Sequence, residues 1–364
     1  MVERAAVTGT TALETLGQTG YLGRLLDRAG RLQRDLAAVP SDRRSALVPA
    51  ARRDAARASV RLDASPLSAA TAEAVEQGRA GRGRPEVAAG TPAGGWAAAL
   101  HLDTLATQDL AALEYRNALA AYDAEACLAR RLTSDPQATV AALHGLLCDG
   151  LVDPARSGRP RPFDLDVHEG AQGQVLYRTP AAPAVPALLE ELWAWLAGPA
   201  GSAPALLAAG VVHLRILAWQ PYPAANGRLA RSLARVVLRA FGADPDGLCV
   251  PEPLWLRDPL GYHRDVAATL RRRGDLTGWL ANVVEACVLA LEDAAVRCGG
   301  QPVPQRLPAV VAALEPDAAL TVPAYAAAQR CDHVQAEADL AALRAAGHLR
   351  LEPGTRGLRY RRRR

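Results

Sequence analysis

The sequence predicts a mainly α protein with one β-hairpin in its middle and a winged helix-turn-helix at its carboxyl end. Apolar residues recur at three- and four-residue spacings over most of the 364 residues, which is the period of amphipathic helices. Residues 162–177 instead alternate apolar and polar on both sides of a glycine-containing turn at 169–173, as hairpins do. After a Gly and Pro linker at 299–304, three helical segments and two short strands complete the chain, in the order of a winged helix-turn-helix.

The composition is that of a globular protein with more than one domain. Hydrophobic residues make up 50% and charged residues 22%, so the chain has enough apolar surface for a buried core and is unlike disordered sequences. Its length favours two or three domains, and we expect them at residues 1–95, 96–298 and 299–364. The net charge of +4 is too small to imply a polyanionic partner that binds along the whole chain.

Cysteine usage and hydropathy predict a cytoplasmic protein without a membrane partner. The six cysteines include no C-x-x-C pair, which is poor spacing for a zinc site. The amino terminus lacks a basic start followed by an apolar run, so we expect no secretory signal. The longest apolar stretch, residues 204–219, contains His213 and Arg215, and such residues favour a buried core helix over a membrane span.

The elements follow from local signals along the chain. Residues 18–75 have helical spacing, and Pro40 with Ser41 ends one helix and starts the next. Residues 77–95 mix Gly, Pro and Arg without periodicity and predict a linker. The period predicts further helices at 105–130, 139–148, 187–196, 205–219, 228–241 and 276–291. In the last unit it predicts helices at 305–314, 322–329 and 334–346, and strands at 348–352 and 358–361.

The segment Gln220-Pro-Tyr-Pro-Ala-Ala-Asn-Gly-Arg-Leu-Ala-Arg231 is the most informative about chemistry. Its prolines end one apolar helix, Asn226-Gly227 suits a turn, and a new helix begins near Arg228. Backbone N–H groups at such a helix start, with Arg228 and Arg231 one turn apart, form an anion site of phosphate size. On these residues alone, an ordinary Asn-Gly connector between helices is the competing interpretation.

This segment resembles the signature loop of the Fic family, His-Pro-Phe-x-Asp/Glu-Gly-Asn-Gly-Arg-x-x-Arg. The resemblance extends over most of the chain and includes five further features: His213 in the preceding helix, Glu114 to Leu119, Gly158 to Arg161 ahead of the hairpin, the hairpin itself, and Gly261 to Arg264. It implies a Fic fold, a helical core with a β-hairpin flap, and winged-helix carboxyl units are familiar in this family.

Family members that transfer AMP from ATP to a protein hydroxyl use the motif His as general base and the motif acid to hold Mg²⁺. Gln220 and Ala224 occupy those positions here, and Ala225 replaces the first Gly. A neutral amide takes no proton at usable pH. The resemblance therefore implies a degenerate protein in which Asn226, Gly227, Arg228 and Arg231 hold phosphate, with ATP or another nucleotide as the ligand. It leaves a role for Mg²⁺ open and names no other metal.

Three histidines are alternative bases, and one acidic residue is a candidate inhibitor. His168 in the predicted flap is the better spare base, whereas His213 is expected inside the core and His263 on the surface. Many Fic proteins carry a helix with Ser/Thr-x-x-x-Glu-Gly/Asn, whose Glu pairs with the second Arg of the loop. Ser59 to Ala64 resembles it, with Asp63 at the Glu position, although an ordinary helix surface explains these residues equally well.

Partners and alternative functions remain open at this stage. The resemblance implies an unidentified protein target added as a strand at the flap hairpin, and the chain could form a homo-oligomer. Arginines of the predicted wing suit DNA phosphates, but the predicted recognition helix carries Glu337 and Asp339 against Arg344, unlike helices that read base edges. A DNA-linked regulator is one alternative function, and an enzyme for a phosphorylated small molecule in a specialised pathway is another.

Overall fold

The computed structural model describes residues 20–81, 107–168, 175–272, 275–298, 319–329, 331–345, 348–354 and 357–362. Within these ranges the chain is mainly helical, which confirms the predicted fold class. The helices are α1 (Gly20–Ala38), α2 (Ser41–Leu62), α3 (Ala69–Glu76), α4 (Thr107–Ala129), α5 (Pro136–Leu147), α6 (Val185–Ala197), α7 (Ala205–Trp219), α8 (Asn226–Ala240), α9 (Glu252–Trp255), α10 (Pro259–Arg271), α11 (Thr277–Arg297), α12 (Val322–Gln329) and α13 (His333–Ala345). The strands are β1 (Asp166–His168), β2 (Val175–Arg178), β3 (Ala319–Leu320), β4 (Leu349–Gly354) and β5 (Gly357–Arg362).

The amino-terminal helices share the central hydrophobic core. The break between α1 and α2 falls at Pro40, as predicted. Leu22 and Leu25 of α1 and Leu62 of α2 are buried in the same cluster as the side chains of α7 and α8. The expected domain boundaries at residues 95 and 299, most of the linker, and the helix expected at 305–314 lie outside the described residues, so that division stays a prediction.

Helices α7 and α8 form the centre of the molecule. They pack against each other, and α4 packs on α8 while α11 packs on α7. Every residue of α7 from Leu206 to Trp219 is buried, because the helix is apolar on all sides. None of the helices in the described ranges combines the length and apolarity needed to cross a membrane. Because α7 and α8 are both buried in this close-packed core, the loop between them is held at both ends.

A two-stranded hairpin covers one side of this loop. β1 and β2 are antiparallel, with Val167 opposite Tyr177 and an irregularity between Val167 and His168. The turn predicted at 169–173 lies outside the described residues. Tyr177 is buried, and its hydroxyl donates to the carbonyl of Leu217 at 2.9 Å. That bond fixes β2 to the end of α7.

The carboxyl unit contains α12, α13 and a three-stranded sheet in the order β3-β5-β4. This order is compatible with a winged helix, which stays a prediction. Helix α13 lies against the helical body rather than in solvent. Arg24 of α1 donates to Glu337, Arg344 pairs with Glu285 of α11, and the hydroxyls of Tyr21 and Tyr360 share a 2.5 Å hydrogen bond.

Candidate functional site

The loop from Gln220 to Ala225 is shaped by two residues in the left-handed backbone region. Gln220 has φ 43° and Ala225 has φ 56°, and such a conformation costs a residue with a Cβ about 1 kcal/mol. Ala225 thus adopts the backbone for which the signature loop uses Gly. Asn226 closes the loop, because its Oδ1 accepts from the Tyr222 N–H at 3.0 Å and its Nδ2 donates to the Tyr222 carbonyl at 2.8 Å.

Arg161, which precedes the hairpin, anchors the start of this loop. It is 2% exposed, and its Nε donates to the Gln220 carbonyl at 2.8 Å while its backbone N–H donates to the Pro221 carbonyl at 2.8 Å. Its Nη2 donates to Thr179 Oγ1 at 2.9 Å and to the Pro180 carbonyl at 2.6 Å. One buried guanidinium therefore ties the loop to the end of the hairpin.

His144 of α5 contacts the middle of the loop, at Tyr222 and Ala224. Its Nδ1 accepts from the Gly158 N–H at 2.9 Å, so the neutral ring carries its proton on Nε2, which lies 3.2 Å from the Ala224 carbonyl. The ring stacks on Tyr222 with 4.4 Å between centroids. Burial lowers the pKa of His144 to about 4, which keeps this tautomer neutral at physiological pH.

Helix α8 begins directly after the loop and presents its amino-terminal end to the site. Ala225 is its N-cap residue and makes no side-chain cap. The first N–H to bond within the helix is that of Leu229, which donates to the Ala225 carbonyl at 2.8 Å. The N–H groups of Asn226, Gly227 and Arg228 precede it and have no carbonyl partner inside the helix. They form the partially positive end that the sequence predicts.

Arg231 is fully engaged by α2 and α10. Its Nε donates to Ser59 Oγ at 2.8 Å, and its Nη2 donates to the Ser59 carbonyl and to Asp63 Oδ1, both at 2.7 Å. Its Nη1 lies 3.5 Å from the Tyr262 hydroxyl. Asp63 therefore reaches Arg231 directly even though it is one methylene shorter than Glu, because the end of α2 packs close to α8.

Arg228 is less completely engaged. Its Nη1 donates to Glu114 Oε1 of α4 at 2.6 Å. Its Nε is buried and has no hydrogen-bond partner among the described residues, since Asp63 Oδ2 at 4.0 Å is beyond hydrogen-bond reach. The side chain is 5% exposed.

Asp63 lies over the first turn of α8. A Cβ at Gly227 would lie only 2.3 Å from Asp63 Oδ1, so the missing side chain of Gly227 allows the carboxylate to approach the helix start. Burial raises the pKa of Asp63, but Arg231 and Arg228 outweigh it and hold that pKa below its usual value. Ala64 follows with φ 63° and ends α2 at the position of the small residue in the inhibitory motif. The inhibitory role itself stays a prediction.

A pocket of 300 Å³ opens beside these groups. Its lining unites all the predicted site residues except Arg231, which lies behind it. The lining residues are Asp63, Leu110, Glu114, Leu151, Leu165, Val167, Tyr177, Leu217, Gln220, Pro223, Ala224, Ala225, Asn226, Gly227, Arg228 and His263. Val167 and Tyr177 bring both strands of the hairpin to its wall.

The two positions that depart from the Fic signature lie in this pocket without the expected chemistry. The Gln220 amide nitrogen donates to the Leu217 carbonyl at 2.9 Å, and the amide has no titratable group. Ala224 is 6% exposed and brings only a methyl group, so this signature position supplies none of the oxygen ligands that Mg²⁺ requires. Among the described residues, no group of three or more His, Cys, Asp and Glu is placed to hold a metal ion.

The three spare histidines lie in different surroundings. His213 is fully buried, and its Nε2 lies 2.6 Å from the Tyr262 hydroxyl, between Trp255 and Trp279. His263, expected on the surface, instead lines the pocket half-buried, with its Nε2 3.2 Å from the Leu62 carbonyl. Exposed His168 ends β1 and does not line the pocket.

Two residues with clear contacts to the site were not given a role from the sequence. Glu114 belongs to a segment that resembles the family, but nothing in its spacing showed that its carboxylate meets Arg228. His144 has the phase of a core residue in α5, and the only signal was a polar side chain at a buried helical position. Both contacts join residues far apart in the chain, which periodicity does not report.

Comparisons with known proteins place this geometry in context. The Fic/DOC family model matches residues 134–238, which include α5, the hairpin, the loop and most of α8. A search among curated proteins found no match.

Among solved structures, a Fic family protein from Desulfovibrio desulfuricans G20 is similar over 95% of this chain and 96% of its own, at 21% identity and a TM-score of 0.57. Fic-1 (residues 134–508) from C. elegans is similar over 76% of this chain and 73% of its own, at 15% identity and a TM-score of 0.56. A Fic domain containing signaling protein from Bacteroides thetaiotaomicron VPI-5482 is similar over 79% of this chain and 100% of its own, at 15% identity and a TM-score of 0.52. At identities this low, the structural similarity shows the fold alone.

Proposed function

Because the chain carries a Fic/DOC family domain at residues 134–238, we propose that it is a nucleotide-binding protein derived from Fic-type transferases. The pocket would hold a nucleotide phosphate at the start of α8, through the Arg228 guanidinium and the N–H groups of Asn226, Gly227 and Arg228, which have no partner inside the helix. The observation that carries this proposal is the convergence of a helix amino terminus and the Arg228 guanidinium at one pocket. ATP is the expected nucleotide because AMP transfer from ATP is the reaction associated with the intact signature.

Transfer would be slow or absent. Loss of a general base lowers a rate by about 10² to 10⁴, and Gln220 supplies none. Ala224 offers no ligand for a metal that would neutralise phosphate charge. A pseudoenzyme that binds nucleotide, or a transferase that works by a modified route, is the function these residues support.

Asp63 would act as an internal anion that competes with phosphate. Its carboxylate already lies against Gly227 and Arg231, at the partially positive helix start that a phosphate oxygen would use. A ligand with several phosphates would therefore have to displace it. The side chain of Asp63 is 21% exposed, so its path to solvent is open.

The test is a calorimetric titration of the purified protein with ATP, ADP, AMP and GTP, with and without Mg²⁺. We expect binding that does not require Mg²⁺ and that disappears in Arg228→Ala. Asp123→Asn of α4, whose exposed side chain pairs with Arg52, is the control for a charge change on a surface helix. Absence of binding to all four nucleotides, in wild type and in Asp63→Ala, would refute the proposal.

Latent transfer is tested by restoring the missing groups. The double variant Gln220→His and Ala224→Asp supplies a base and a metal ligand at the signature positions. With Asp63→Ala added to free Arg231, we expect label from α-³²P-ATP to appear on protein in the presence of Mg²⁺. Label on the unmodified protein at a comparable rate would instead show that the chain uses another route.

DNA binding through the carboxyl unit is the weaker alternative. Three side chains of α13 are buried in a cluster that joins the carboxyl unit's own side chains to Ala281 of α11: Ala336, Leu340 and Leu343. Glu337 is paired with Arg24 and Arg344 with Glu285. These contacts occupy the helix that would have to read base edges, and they favour a packing role for the unit.

A further inference from the structure

Arg228 and Arg231 of α8 differ in which of their guanidinium nitrogens have a hydrogen-bond acceptor. Arg231 has an acceptor within 3.5 Å of each of its three nitrogens. Arg228 has one strong acceptor, Glu114, on Nη1, while its buried Nε has none among the described residues. A buried donor without an acceptor is rare in folded proteins and needs an explanation.

Glu114 stands on a helix that is fixed in position. Its neighbour Asn117 is 1% exposed and donates to the carbonyls of Leu147 and Asp149 at 3.3 Å and 2.7 Å. The Tyr115 hydroxyl donates to Glu76 at 2.6 Å. These bonds lock the position of α4 against α3 and the end of α5, so the carboxylate of Glu114 is presented at a set place.

We propose that Glu114 is a positioning residue for Arg228. Its charge-assisted bond to Nη1 holds the guanidinium at the pocket wall, and we assign the buried donor without an acceptor, Nε–H, to a ligand phosphate oxygen. Asp63 stands 4.0 Å from that donor, so a small shift of Asp63 opens it. This inference rests on the proposed function, because it assigns the phosphate donor of the same pocket.

The inference also specifies the ligand chemistry that the pocket takes first. A single phosphate monoester needs only Arg228 and the helix start, whereas a second phosphate at Arg231 must displace both Asp63 and Ser59 from it. We therefore expect AMP or inorganic phosphate to bind after a small shift of Asp63 that opens Nε and leaves its bond to Arg231 in place.

The sign of the effect separates positioning from blocking. If Glu114 positions Arg228, Glu114→Ala weakens phosphate and AMP binding about tenfold, and Glu114→Gln, which keeps an acceptor oxygen, retains most of the affinity. If Glu114 instead blocks Arg228, both variants bind more tightly than wild type. If it only stabilises α4, the melting temperature falls and the dissociation constants do not change.

Crystal structures of wild type, Glu114→Ala and Glu114→Gln, with Asp123→Asn as the control, give a readout that needs no ligand. We expect the Arg228 guanidinium to leave its place in Glu114→Ala and to keep it in the other two. An unmoved guanidinium in Glu114→Ala, or tighter binding by either Glu114 variant, would overturn the inference. A displaced guanidinium in a protein that binds neither phosphate nor AMP would uphold the positioning role and refute the proposed function instead.

Discussion

Helix α8 carries two clusters of Arg–carboxylate ion pairs that differ in their surroundings. At its start, Arg228 and Arg231 meet Glu114 and Asp63 beside the pocket. One and two turns further on, Arg235 and Arg239 meet Glu125, and Arg235 also pairs with Glu252. The side chains of Glu125 and Glu252 are at most 1% exposed, whereas that of Asp63 is 21% exposed.

The difference separates a structural ion pair from a displaceable one. Burial raises the pKa of Glu125 in spite of Arg235, whereas the arginines hold the pKa of Asp63 below its usual value in spite of burial. Two non-glycine residues in the left-handed backbone region, Ala64 and Ala225, also flank the first cluster, whereas the left-handed residue beside Arg239 of the second is Gly247, which adopts that conformation without strain. Exposure and strained non-glycine residues, rather than the presence of Arg–carboxylate pairs, distinguish the end of α8 at which we propose phosphate binding.

The largest effect is expected from the enclosed cluster. Glu125→Ala leaves Arg235 and Arg239 without their shared carboxylate in a buried site, so we expect it to lower the free energy of unfolding by about 3 to 5 kcal/mol. Urea denaturation measures this directly. Asp63→Ala is the matched comparison, and an equal loss there would erase the distinction between the clusters.

His144 is expected to make the stability depend on pH. Its pKa is about 4 in the folded chain and 6.5 in its ordinary state, so the unfolded state binds the extra proton first. Stability is therefore lost as the pH falls from about 6.5 towards 4, by up to about 3 kcal/mol. Chemical denaturation across this range should show a shallower dependence of stability on pH in His144→Asn, and identical dependences would contradict a lowered pKa of His144 in the folded chain.

Asp63→Ala is expected to change binding more than stability. Removing the carboxylate frees Arg231 and the helix start, so the affinity for ATP should rise about tenfold. The cost in unfolding free energy should be about 1 kcal/mol, because the Asp63 side chain is partly exposed and Ser59 still accepts two hydrogen bonds from Arg231. Asp63→Asn, which keeps the shape, should give an intermediate affinity, and a fall in affinity in both variants would show that Asp63 helps to bind the ligand.

The smallest effect concerns the bend that places Asp63. Ala64 has φ 63°, where glycine is favoured, so Ala64→Gly should stabilise the protein by about 0.5 kcal/mol after the larger entropy of the unfolded glycine is allowed for. Ala126→Gly, on an exposed position of α4, should instead destabilise by about 1 kcal/mol. Thermal unfolding of both variants measures the difference, and equal destabilisation would mean that the bend at Ala64 holds no strain.

Much of the fold was predictable because its signals are local. Apolar periodicity gave α7 with its observed bounds, Ala205–Trp219, and the break at Pro40 gave the start of α2. The sequence signal was weaker for α8, which begins at Asn226 rather than Arg228, because its first turn is polar. The two-residue β3 has no period long enough to be recognised.

The site was predictable to the extent that one segment contains it. Asn226, Gly227 and Arg228 line the pocket as expected, since they share the loop with Gln220. The contact between Asp63 and Arg231 was expected only from a resemblance. Nothing in the residue spacing predicted the contact between Glu114 and Arg228. Such pairs depend on how α2 and α4 pack against α8, which is a property of the whole core and not of any one segment.

The most direct test of the central claim is a comparison of ATP affinity between wild type and Asp63→Ala by calorimetry without Mg²⁺, with Arg228→Ala in each background. If Asp63 is the internal anion at the phosphate site, the variant binds ATP about tenfold more tightly than wild type, and Arg228→Ala abolishes binding in both. Equal affinities, or binding that survives Arg228→Ala, would contradict the claim that Asp63 and phosphate compete for the start of α8.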